Sequence, residues 1–310
     1  MSLFAELFPS KTSPWTGENM PDQSGKIFIV TGGNSGAGKE TCLQLLSKGG
    51  KVYMAARSRE RAEEAIAELA TETGGHKAIF LPLDLADLAS VKAAAAEFLT
   101  QESQLHVLFN SGGVMAAPMD QLTRDGYDLQ FGTNVVGHFY LTSLLLPTLL
   151  ATSKATGVKS RIITTAAGLY RSHPRVNYDT LRDGPARRKL DPLTLYAQSK
   201  YANIVVSNEY AKRYGKDLIA ISLHPGVFKS ELQRHMKPLP FSMWIGMKFA
   251  VPVWMGAINQ MYAGTIPDAE KFNGKYMIPW AREGNGSKEL WDVKEGQKLW
   301  AWLEQQVKDL

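Results

Sequence analysis

The sequence is poor in the residues that form disulfides or bind metals. Its single cysteine, Cys42, excludes an internal disulfide framework. Its six histidines show neither H-E-x-x-H nor a paired Cys/His spacing, so a metal centre is not expected. The formal charge of +5 is spread along the chain without a long block of Lys or Arg, and nucleic acid is therefore not an expected partner.

Long hydrophobic runs are also scarce. Residues 1–25 lack the basic start and continuous apolar core of a signal peptide, which predicts a cytoplasmic location. The strongest candidate for a membrane span, residues 239–263, is interrupted by Lys248 and broken by Pro240 and Pro252. Neither half approaches the roughly 20 apolar residues that a spanning helix needs, so we expect no span, although peripheral contact with a membrane surface remains open.

What the 310 residues do contain is a regular alternation of short strand-like and longer helix-like segments. This alternation predicts an α/β fold with a doubly wound parallel sheet of about seven strands and helices on both faces. The strand candidates are 26–30, 51–56, 78–83, 106–110, 161–165, 218–224 and 275–278, and the helix candidates are 60–73, 88–102, 135–150 and 196–214.

We expect residues 1–25 to be an N-terminal extension and residues 26–310 to form one domain. Two segments fit the alternation poorly, an insertion at about 169–195 and an apolar segment at about 230–260. Both follow strand ends, where open α/β sheets bind ligands.

A glycine-rich loop, TGGNSGAG, lies between the first strand and the first helix. Gly32, Gly36 and Gly38 let a pyrophosphate approach the backbone, and a helix that begins near Gly38 turns its N–H groups toward that anion. The loop is therefore expected to hold a dinucleotide. Three glycines in a loop also occur in a simple tight turn, but the strand before and the helix after favour the nucleotide site.

The end of the second strand predicts which dinucleotide is bound. A carboxylate is typical there in NAD sites, whereas this chain carries Arg57, whose guanidinium suits a 2′-phosphate. NADP(H) is therefore the expected cofactor, with Ser58, Arg59 and Ser35 as further donors, although a solvated arginine is the simpler alternative. Asp84, at the end of the third strand, is placed either to meet the adenine edge or to cap the next helix.

The segment LYAQSK contains Tyr196 and Lys200. A spacing of four residues stacks the two side chains on one face of a helix. A nearby ammonium, together with a positive nicotinamide ring, would lower the pKa of the phenol from about 10. Tyr196 is thus a candidate general acid for carbonyl reduction or a base for alcohol oxidation.

Five motifs in this order resemble the short-chain dehydrogenase/reductase family, and within it the branch of retinol dehydrogenases and WW-domain oxidoreductases. They are TGGNSGAG, Asn110-Ser111-Gly112, Asn134 in GTNVVGHF, the YAQSK pair and HPGVFKS, and the resemblance extends over residues 26–306. It implies a single Rossmann-type domain in which Tyr196 donates the proton and Lys200 binds the nicotinamide ribose and lowers the tyrosine pKa. Asn134 would anchor a water that leads protons to bulk, and Ser230 would bind the carboxamide.

The coenzyme is expected to touch residues from five loops and from the helix that carries Tyr196. They are Gly32, Asn34, Ser35, Gly36, Ala37, Gly38, Arg57, Asp84, Leu85, Asn110, Gly112, Tyr196, Lys200, Pro225, Gly226, Val227 and Ser230. The family's usual catalytic serine is missing, and Thr165 in SRIITTAAG is expected to donate to the substrate oxygen instead.

The segment at 230–260 is expected to form an apolar lid over the nicotinamide, which favours a hydrophobic aldehyde, ketone or alcohol as substrate. Its large side chains are Met236, Phe241, Met243, Trp244, Met247, Phe249 and Trp254. The same composition suits packing on the sheet or a subunit contact. In the insertion, Arg171, His173 and Arg175 are candidates for binding an acidic substrate group or are simply solvated.

The sequence therefore predicts an NADP(H)-dependent oxidoreductase. A regulatory protein that binds NADP(H) with little turnover, and a reductase of an activated C=C bond, are the alternatives. Apolar faces at 135–150 and 204–210 suit helix pairing in a homodimer, and they suit burial on the sheet equally well.

Overall fold

The computed structural model describes residue 10, residues 12–228 and residues 250–310. Its strands form one sheet in the order β3-β2-β1-β4-β5-β6-β7-β8, parallel except for the antiparallel β7–β8 pair. The strands are β1 (Ile27–Thr31), β2 (Lys51–Ala56), β3 (Ile79–Pro82), β4 (Val107–Asn110), β5 (Ser160–Thr165), β6 (Leu218–Leu223), β7 (Tyr276–Ile278) and β8 (Arg282–Glu283). The predicted doubly wound α/β fold is confirmed, and the addition is β8, whose two residues are too few to give a sequence pattern.

Helices cover both faces of the sheet. They are α1 (Gly36–Ser47), α2 (Arg59–Glu72), α3 (Leu88–Gln101), α4 (Leu129–Thr156), α5 (Pro185–Arg188), α6 (Pro192–Tyr214), α7 (Val253–Thr265) and α8 (Val293–Val307). Phe98 of α3, Leu145 of α4 and Leu299 of α8 belong to the core on one face. Leu45 of α1 and Ala257 of α7 belong to the core on the other. Burial on both faces explains why the central strands read as continuous apolar runs.

The strand order reverses between β1 and β4, because β1 leads outward to β2 and β3 while β4 leads the other way. Open α/β sheets bind ligands in the crevice at such a point, beyond the carboxyl ends of the strands. The glycine-rich loop follows β1, and the Asn110-Ser111-Gly112 turn begins at the last residue of β4. The fold therefore brings these two predicted motifs together.

Helix α4 is long and apolar enough to cross a membrane, with a mean hydropathy of 1.5 in its most apolar window. Core helices of globular domains pass the same test, and 61% of that window is buried inside the protein. Of the membrane candidate identified from the sequence, 239–263, residues 239–249 lie outside the described residues. Its remainder includes the first part of α7, where Met255, Ile258 and Met261 are buried in the domain.

The predicted helix-pairing faces are largely internal in a single chain. Ile204, Val205 and Tyr210 of α6 are buried, as are Leu145 and Leu149 of α4. This favours burial on the sheet as the reason for their apolar character.

The described part of the N-terminal extension packs on the domain. The Trp15 ring meets that of Tyr262 edge to face at 5.5 Å, and Trp280 Nε1 donates to the Ser10 carbonyl at 2.7 Å. Met20 is buried at 3% exposure. Residues 12–25 therefore contribute to the folded unit.

The insertion is fixed to the domain by buried residues. It contains short 3-10 turns at Gly168–Ser172 and Tyr178–Thr180 and the helix α5. Arg187 of α5 is 1% exposed and pairs with the equally buried Asp128 through Nε and Oδ2 at 2.9 Å. Its two terminal nitrogens donate to the carbonyls of Met119 and Gln121 at 2.7 and 3.1 Å.

Candidate active site

The N-terminus of α1 is open toward an anion. Its N-cap residue, Ser35, has extended backbone angles, and its side chain makes no capping hydrogen bond. Five other helices, α2, α3, α4, α6 and α8, are capped by side chains, those of Ser58, Asp87, Asp128, Asp191 and Asp292. Because the first N–H groups of a helix need acceptors, the uncapped end of α1 fits a bound phosphate.

Glycine is required where the loop after β1 meets the turn after β4. Gly32 has a φ of +66°, and a Cβ there would lie 2.8 Å from the Gly112 Cα. A Cβ on Gly38 would lie 2.4 Å from the Gly32 carbonyl oxygen. Both contacts are with backbone and cannot relax by a rotamer change, so only glycine gives this close-packed floor.

A threonine and a histidine that lie inside two of the motifs, but are not among the predicted site residues, support this floor. The buried Thr31 hydroxyl accepts the N–H groups of Ser111 and Gly112 at 2.9 and 2.8 Å and lies 2.9 Å from His138 Nε2. His138 Nδ1 lies 3.0 Å from the Asn134 carbonyl oxygen, and burial lowers the pKa of His138 to about 4. The ring is therefore neutral, with Nδ1–H donating to Asn134 and Nε2 accepting from Thr31.

Asn110 and Leu85 also lie at the switch point. Asn110 is 4% exposed, its Nδ2 donates to the Thr142 hydroxyl at 3.0 Å, and its Oδ1 has no partner among the described residues. A buried acceptor without a partner fits a site built for a polar ligand. The Leu85 side chain is beside Gly112, whose Cβ would lie 3.1 Å from Leu85 Cδ1.

Of the three candidate donors after β2, one has no partner. Arg57 is exposed and makes no ion pair or hydrogen bond with any described residue. The Ser58 hydroxyl caps α2 by accepting from Arg61 N at 3.3 Å. Arg59 lies 4.7 Å from the Phe80 ring centre and pairs with Glu63 at 3.2 Å.

Asp84 does not cap the helix that follows it. Its Oδ1 accepts the N–H of Ala86 at 3.0 Å, within a local turn. The cap of α3 is Asp87, which accepts from Ala89 N at 3.1 Å and Ser90 N at 3.4 Å. The capping alternative for Asp84 is therefore wrong, which leaves its half-buried carboxylate beside the coenzyme region.

Tyr196 and Lys200 share one face of α6, as their spacing predicts. They are 3% and 4% exposed, and the Lys200 Nζ lies 5.7 Å from the Tyr196 ring centre. The same Nζ donates to the Thr165 carbonyl at 2.9 Å, which ties the lysine to the end of β5. The structure thus brings together the tyrosine, the lysine and the end of the fifth strand.

In the protein alone, the tyrosine pKa moves opposite to the predicted direction. Burial raises the pKa of Tyr196 above its usual value and lowers the pKa of Lys200 to about 7. Both changes have one cause, since a group removed from water loses the solvation of its charged form. Tyr196 therefore stays protonated and Lys200 is only partly charged near neutral pH.

Asn134 lies in a π-turn, Gly132–Val136, within α4. Its side chain is fully buried, accepts from Val114 N at 2.9 Å, and donates to Val114 O and to the Ser199 hydroxyl, each at 3.0 Å. Ser199 in turn donates to the Tyr196 carbonyl at 2.7 Å. Asn134 therefore holds the segment after β4 against the helix that carries Tyr196.

Thr165 is the last residue of β5, and its hydroxyl turns toward α7. Its hydroxyl donates to Gln260 Oε1 on α7 at 3.1 Å, so its only hydrogen is already committed. The residue that follows β5 and belongs to the apolar cluster around Tyr196 is Ala167, which has no donor. The oxyanion role of Thr165 remains a prediction, and the observed contacts count against it. The sequence did not indicate which of these residues would face Tyr196, because Thr165 and Ala167 are only two positions apart.

The wall beside Tyr196 is apolar. Its members are Met115, Ala116, Ala167, Leu169 and Leu193. Ala116 is held in a left-handed conformation (φ 50°), with its N–H donating to Gln130 Oε1 at 2.8 Å. Gln130 also donates to the Pro192 carbonyl at 2.8 Å, which fixes this wall to the first turn of α6.

The HPGVFKS motif is described only as far as Phe228. Gly226 has a φ of +82°, and a Cβ there would lie 3.1 Å from the Trp280 ring. The Val251 N–H donates to the Val227 carbonyl at 2.9 Å, so the chain returns beside the point from which it left. Ser230 and all the predicted large side chains of the apolar segment except Trp254 lie outside the described residues. Trp254 is 41% exposed.

The three basic residues of the insertion have different surroundings. The Arg171 guanidinium lies 5.3 Å from the Tyr170 ring centre, and Arg175 is exposed. Burial lowers the pKa of His173, with a further contribution from Arg175. Their proposed role toward an acidic substrate stays a prediction. In the described ranges, no group of three or more His, Cys, Asp or Glu side chains is arranged to hold a metal.

Comparison with known proteins agrees with this geometry. Residues 26–179 match the family described as short chain dehydrogenase. A short-chain dehydrogenase/reductase of Armillaria gallica is 53% identical over 309 residues, which is 99% of this chain and 98% of that protein. Retinol dehydrogenase 14 of Homo sapiens is 35% identical over 299 residues, covering 87% of this chain and 85% of that protein.

A solved structure extends the likeness to the whole fold. An uncharacterised protein from Mycobacterium paratuberculosis superposes with a TM-score of 0.74 at 28% identity, covering 96% of this chain and 98% of that one. Fold, motif order and sequence identity over nearly the full length agree. With its glycine floor at the switch point and its Tyr196–Lys200 pair beyond β5, the chain belongs to the short-chain dehydrogenase/reductase family of oxidoreductases, in the branch of the retinol dehydrogenases.

Proposed function

We propose that this protein is an NADP(H)-dependent reductase of hydrophobic aldehydes or ketones, with Tyr196 as the proton donor. The observation that carries the proposal is the buried phenol of Tyr196, with the Lys200 ammonium on the same helix face and an apolar wall beside it. Family membership supports chemistry on a C–OH or C=O group. The coenzyme and the substrate class are our inference.

The protonation state of the pair favours reduction. Because burial raises the pKa of Tyr196, the phenol keeps its proton at neutral pH and acts as an acid toward a carbonyl oxygen. The pKa of Lys200, about 7, lets this side chain carry a proton for part of the time. When Tyr196 has given up its proton, the charged form of Lys200 stabilises the phenolate. Alcohol oxidation is the reverse process and requires the phenolate at the start.

The residues present fit a nicotinamide dinucleotide. The uncapped N-terminus of α1 and the floor of Gly32 and Gly112 would take the pyrophosphate, and the unpartnered Asn110 Oδ1 is available to a polar ligand. Arg57, exposed and without a described partner, would take the 2′-phosphate that distinguishes NADP from NAD. When bound, the coenzyme supplies the hydride of the reduction. The chain itself supplies the proton and orients the bound coenzyme.

The apolar wall supports a hydrophobic substrate. Met115, Leu169 and Leu193 contribute carbon surface beside the phenol, and none of them donates a hydrogen bond through its side chain. A carbonyl compound that binds there gains from the burial of its apolar part, and its oxygen is polarised by Tyr196.

Replacement of Tyr196 by Phe tests the proton donor. The variant should bind NADPH with nearly unchanged affinity and should lose turnover of a panel of apolar aldehydes and ketones by a factor on the order of 10³. Tyr262→Phe is the matched control, because that half-buried ring packs against Trp15 far from the floor of the site. Turnover in Tyr196→Phe within tenfold of the parent would reject the assignment.

Replacement of Arg57 by Glu tests the coenzyme preference. A carboxylate repels the 2′-phosphate and accepts hydrogen bonds from a free ribose, so the ratio of kcat/KM for NADPH over NADH should fall by about 100-fold or more. Arg59→Glu is the control, since Arg59 is already paired with Glu63. Equal ratios in the parent and in Arg57→Glu would remove Arg57 from the proposal.

A regulatory protein with little turnover is the second candidate. It is favoured by the position of Ala167 beside Tyr196 and by the engagement of the Thr165 hydroxyl with Gln260. A screen of aldehydes, ketones and alcohols separates the two, because the regulator binds NADPH and converts none of them. NMR of any product formed also separates carbonyl reduction from reduction of a C=C bond.

A further inference from the structure

A buried amide joins the coenzyme floor to the catalytic end of β5. Gln260, in the middle of α7, is fully buried. Its Nε2 donates to the Ala37 carbonyl in the first turn of α1 at 3.0 Å and to the Thr41 hydroxyl one turn later. Its Oε1 accepts from the Ser111 and Thr165 hydroxyls, both at 3.1 Å.

These partners fix the orientation of the amide. The Ala37 carbonyl can only accept, and it already accepts the Thr41 hydroxyl at 2.8 Å, so the group that faces α1 must be the NH₂. The oxygen therefore faces the hydroxyls of Ser111 and Thr165. Both donors and both lone pairs of the amide are used, which is the arrangement that gives a buried polar group a single stable position.

The hydrogen-bond partners of the Gln260 amide each lie beside a part of the site. Ala37 lies at the uncapped mouth of α1, and Ser111 precedes Gly112 on the floor. The Thr165 carbonyl receives Lys200 Nζ at 2.9 Å and Asn203 Nδ2 at 3.3 Å. Gln260 is therefore the one described side chain that bonds directly to α1, to the turn after β4 and to the end of β5.

We propose that Gln260 is a positioning residue. It fixes the N-terminus of α1, where the pyrophosphate would bind, relative to the Thr165 carbonyl, which accepts a hydrogen bond from Lys200 Nζ. Gln260 Oε1 also accepts the hydrogen of the Thr165 hydroxyl, which holds that hydroxyl on the α7 side. The inference deepens the proposed function and rests on it, since it assigns α1 to the coenzyme and Lys200 to the catalytic pair.

The test compares Gln260→Met with Thr265→Val. Methionine keeps the length of the glutamine side chain and removes all four hydrogen bonds. Thr265→Val removes one buried hydrogen bond, to the Met261 carbonyl at 2.7 Å, from the same helix without touching the site. Hydrogen exchange without coenzyme, the NADPH dissociation constant and kcat are measured for the parent and both variants.

Gln260→Met should speed amide exchange in the first two turns of α1 and at residues 111–112, and should raise the NADPH dissociation constant about tenfold. Its kcat should fall by about threefold or more, because the β5 end that anchors Lys200 loses a support. Thr265→Val should lower thermal stability and leave the dissociation constant and kcat unchanged. A Gln260→Met protein that loses only stability overturns the proposal. A parent that binds no NADPH instead overturns the proposed function.

Thr41→Val keeps the inference testable if Gln260→Met does not fold. It removes the hydrogen bond from Gln260 Nε2 to the Thr41 hydroxyl, together with the bond from that hydroxyl to the Ala37 carbonyl, and valine has the shape of threonine. It should raise the NADPH dissociation constant about threefold with kcat unchanged. An unchanged NADPH dissociation constant would count against a role of Gln260 in positioning the N-terminus of α1.

Discussion

Replacement of Arg187 by Met should destabilise the protein strongly and in a pH-dependent way. Arg187 is 1% exposed and joins the insertion to Asp128 and to the carbonyls of Met119 and Gln121. Removing one partner of a buried ion pair costs about 3–5 kcal/mol, because the remaining charge stays buried without its counter-ion. Asp128 keeps two backbone N–H bonds, from Gln130 at 3.0 Å and Phe131 at 2.9 Å, so we expect the lower end, about 3 kcal/mol.

The pH dependence follows from Asp128. Burial already raises the pKa of this carboxyl, and Arg187 is one of the groups that lower it. Without Arg187, the folded-state pKa rises further above the ordinary value of 3.8. The stability that a raised carboxyl pKa contributes is fully present below the unfolded value and is lost as pH rises through the folded value. The penalty should therefore be largest at pH 8 and should shrink toward pH 5.

Urea unfolding and thermal melts at pH 5, 6.5 and 8 measure the effect. A loss of about 3 kcal/mol should lower Tm by roughly 5 °C for a chain of 310 residues. Arg188→Met is the control, since Arg188 is exposed and pairs with the half-exposed Asp183, so its free energy of unfolding should change by about 0.5 kcal/mol or less. Equal losses in the two variants, or an Arg187→Met penalty independent of pH, would refute the reasoning.

Three further predictions concern the site itself. Gly32→Ala should raise the NADPH dissociation constant by about 100-fold or more, because a Cβ at φ +66° would lie 2.8 Å from the Gly112 Cα; fluorescence titration measures it, and unaltered affinity would exclude the close approach. Ala167→Ser should raise kcat/KM for apolar carbonyl compounds by about tenfold or more, because it adds a hydrogen-bond donor beside Tyr196, whereas Ala167→Val should lower kcat/KM. Equal kcat/KM values for the two variants in steady-state kinetics would place this position away from the reacting oxygen. Lys200→Met should abolish turnover yet stabilise the fold by about 2 kcal/mol at pH 6, because a buried lysine whose pKa is lowered to about 7 costs stability below that pH. This gain in stability should shrink as pH approaches 10. Thermal melts that show no such trend would contradict the lowered pKa.

The sequence predicts the frame of the site because its signals are local. β-branched runs marked the strands, and the glycine spacing placed Gly38 where the Gly32 carbonyl of the same loop comes close. The four-residue interval put Tyr196 and Lys200 on one helix face. Each of these features depends on residues within one turn or one strand.

The remaining features depend on contacts between distant segments. Thr165 turns toward Gln260, 95 residues later, and no pattern near Thr165 indicates that partner. His138 meets Thr31 across 107 residues. The direction of the Tyr196 pKa depends on how completely the folded chain excludes water from the phenol, which composition does not reveal.

The backbone contact between Val227 and Val251 has a consequence for how such a protein is altered. Because Val227 and Val251 are hydrogen-bonded neighbours, the described residues just before 229 and just after 249 lie side by side. A chimaera in which residues 229–249 are replaced by the corresponding stretch of another family member should therefore keep the spacing of β6 and α7, and its thermal melt should stay close to that of the parent.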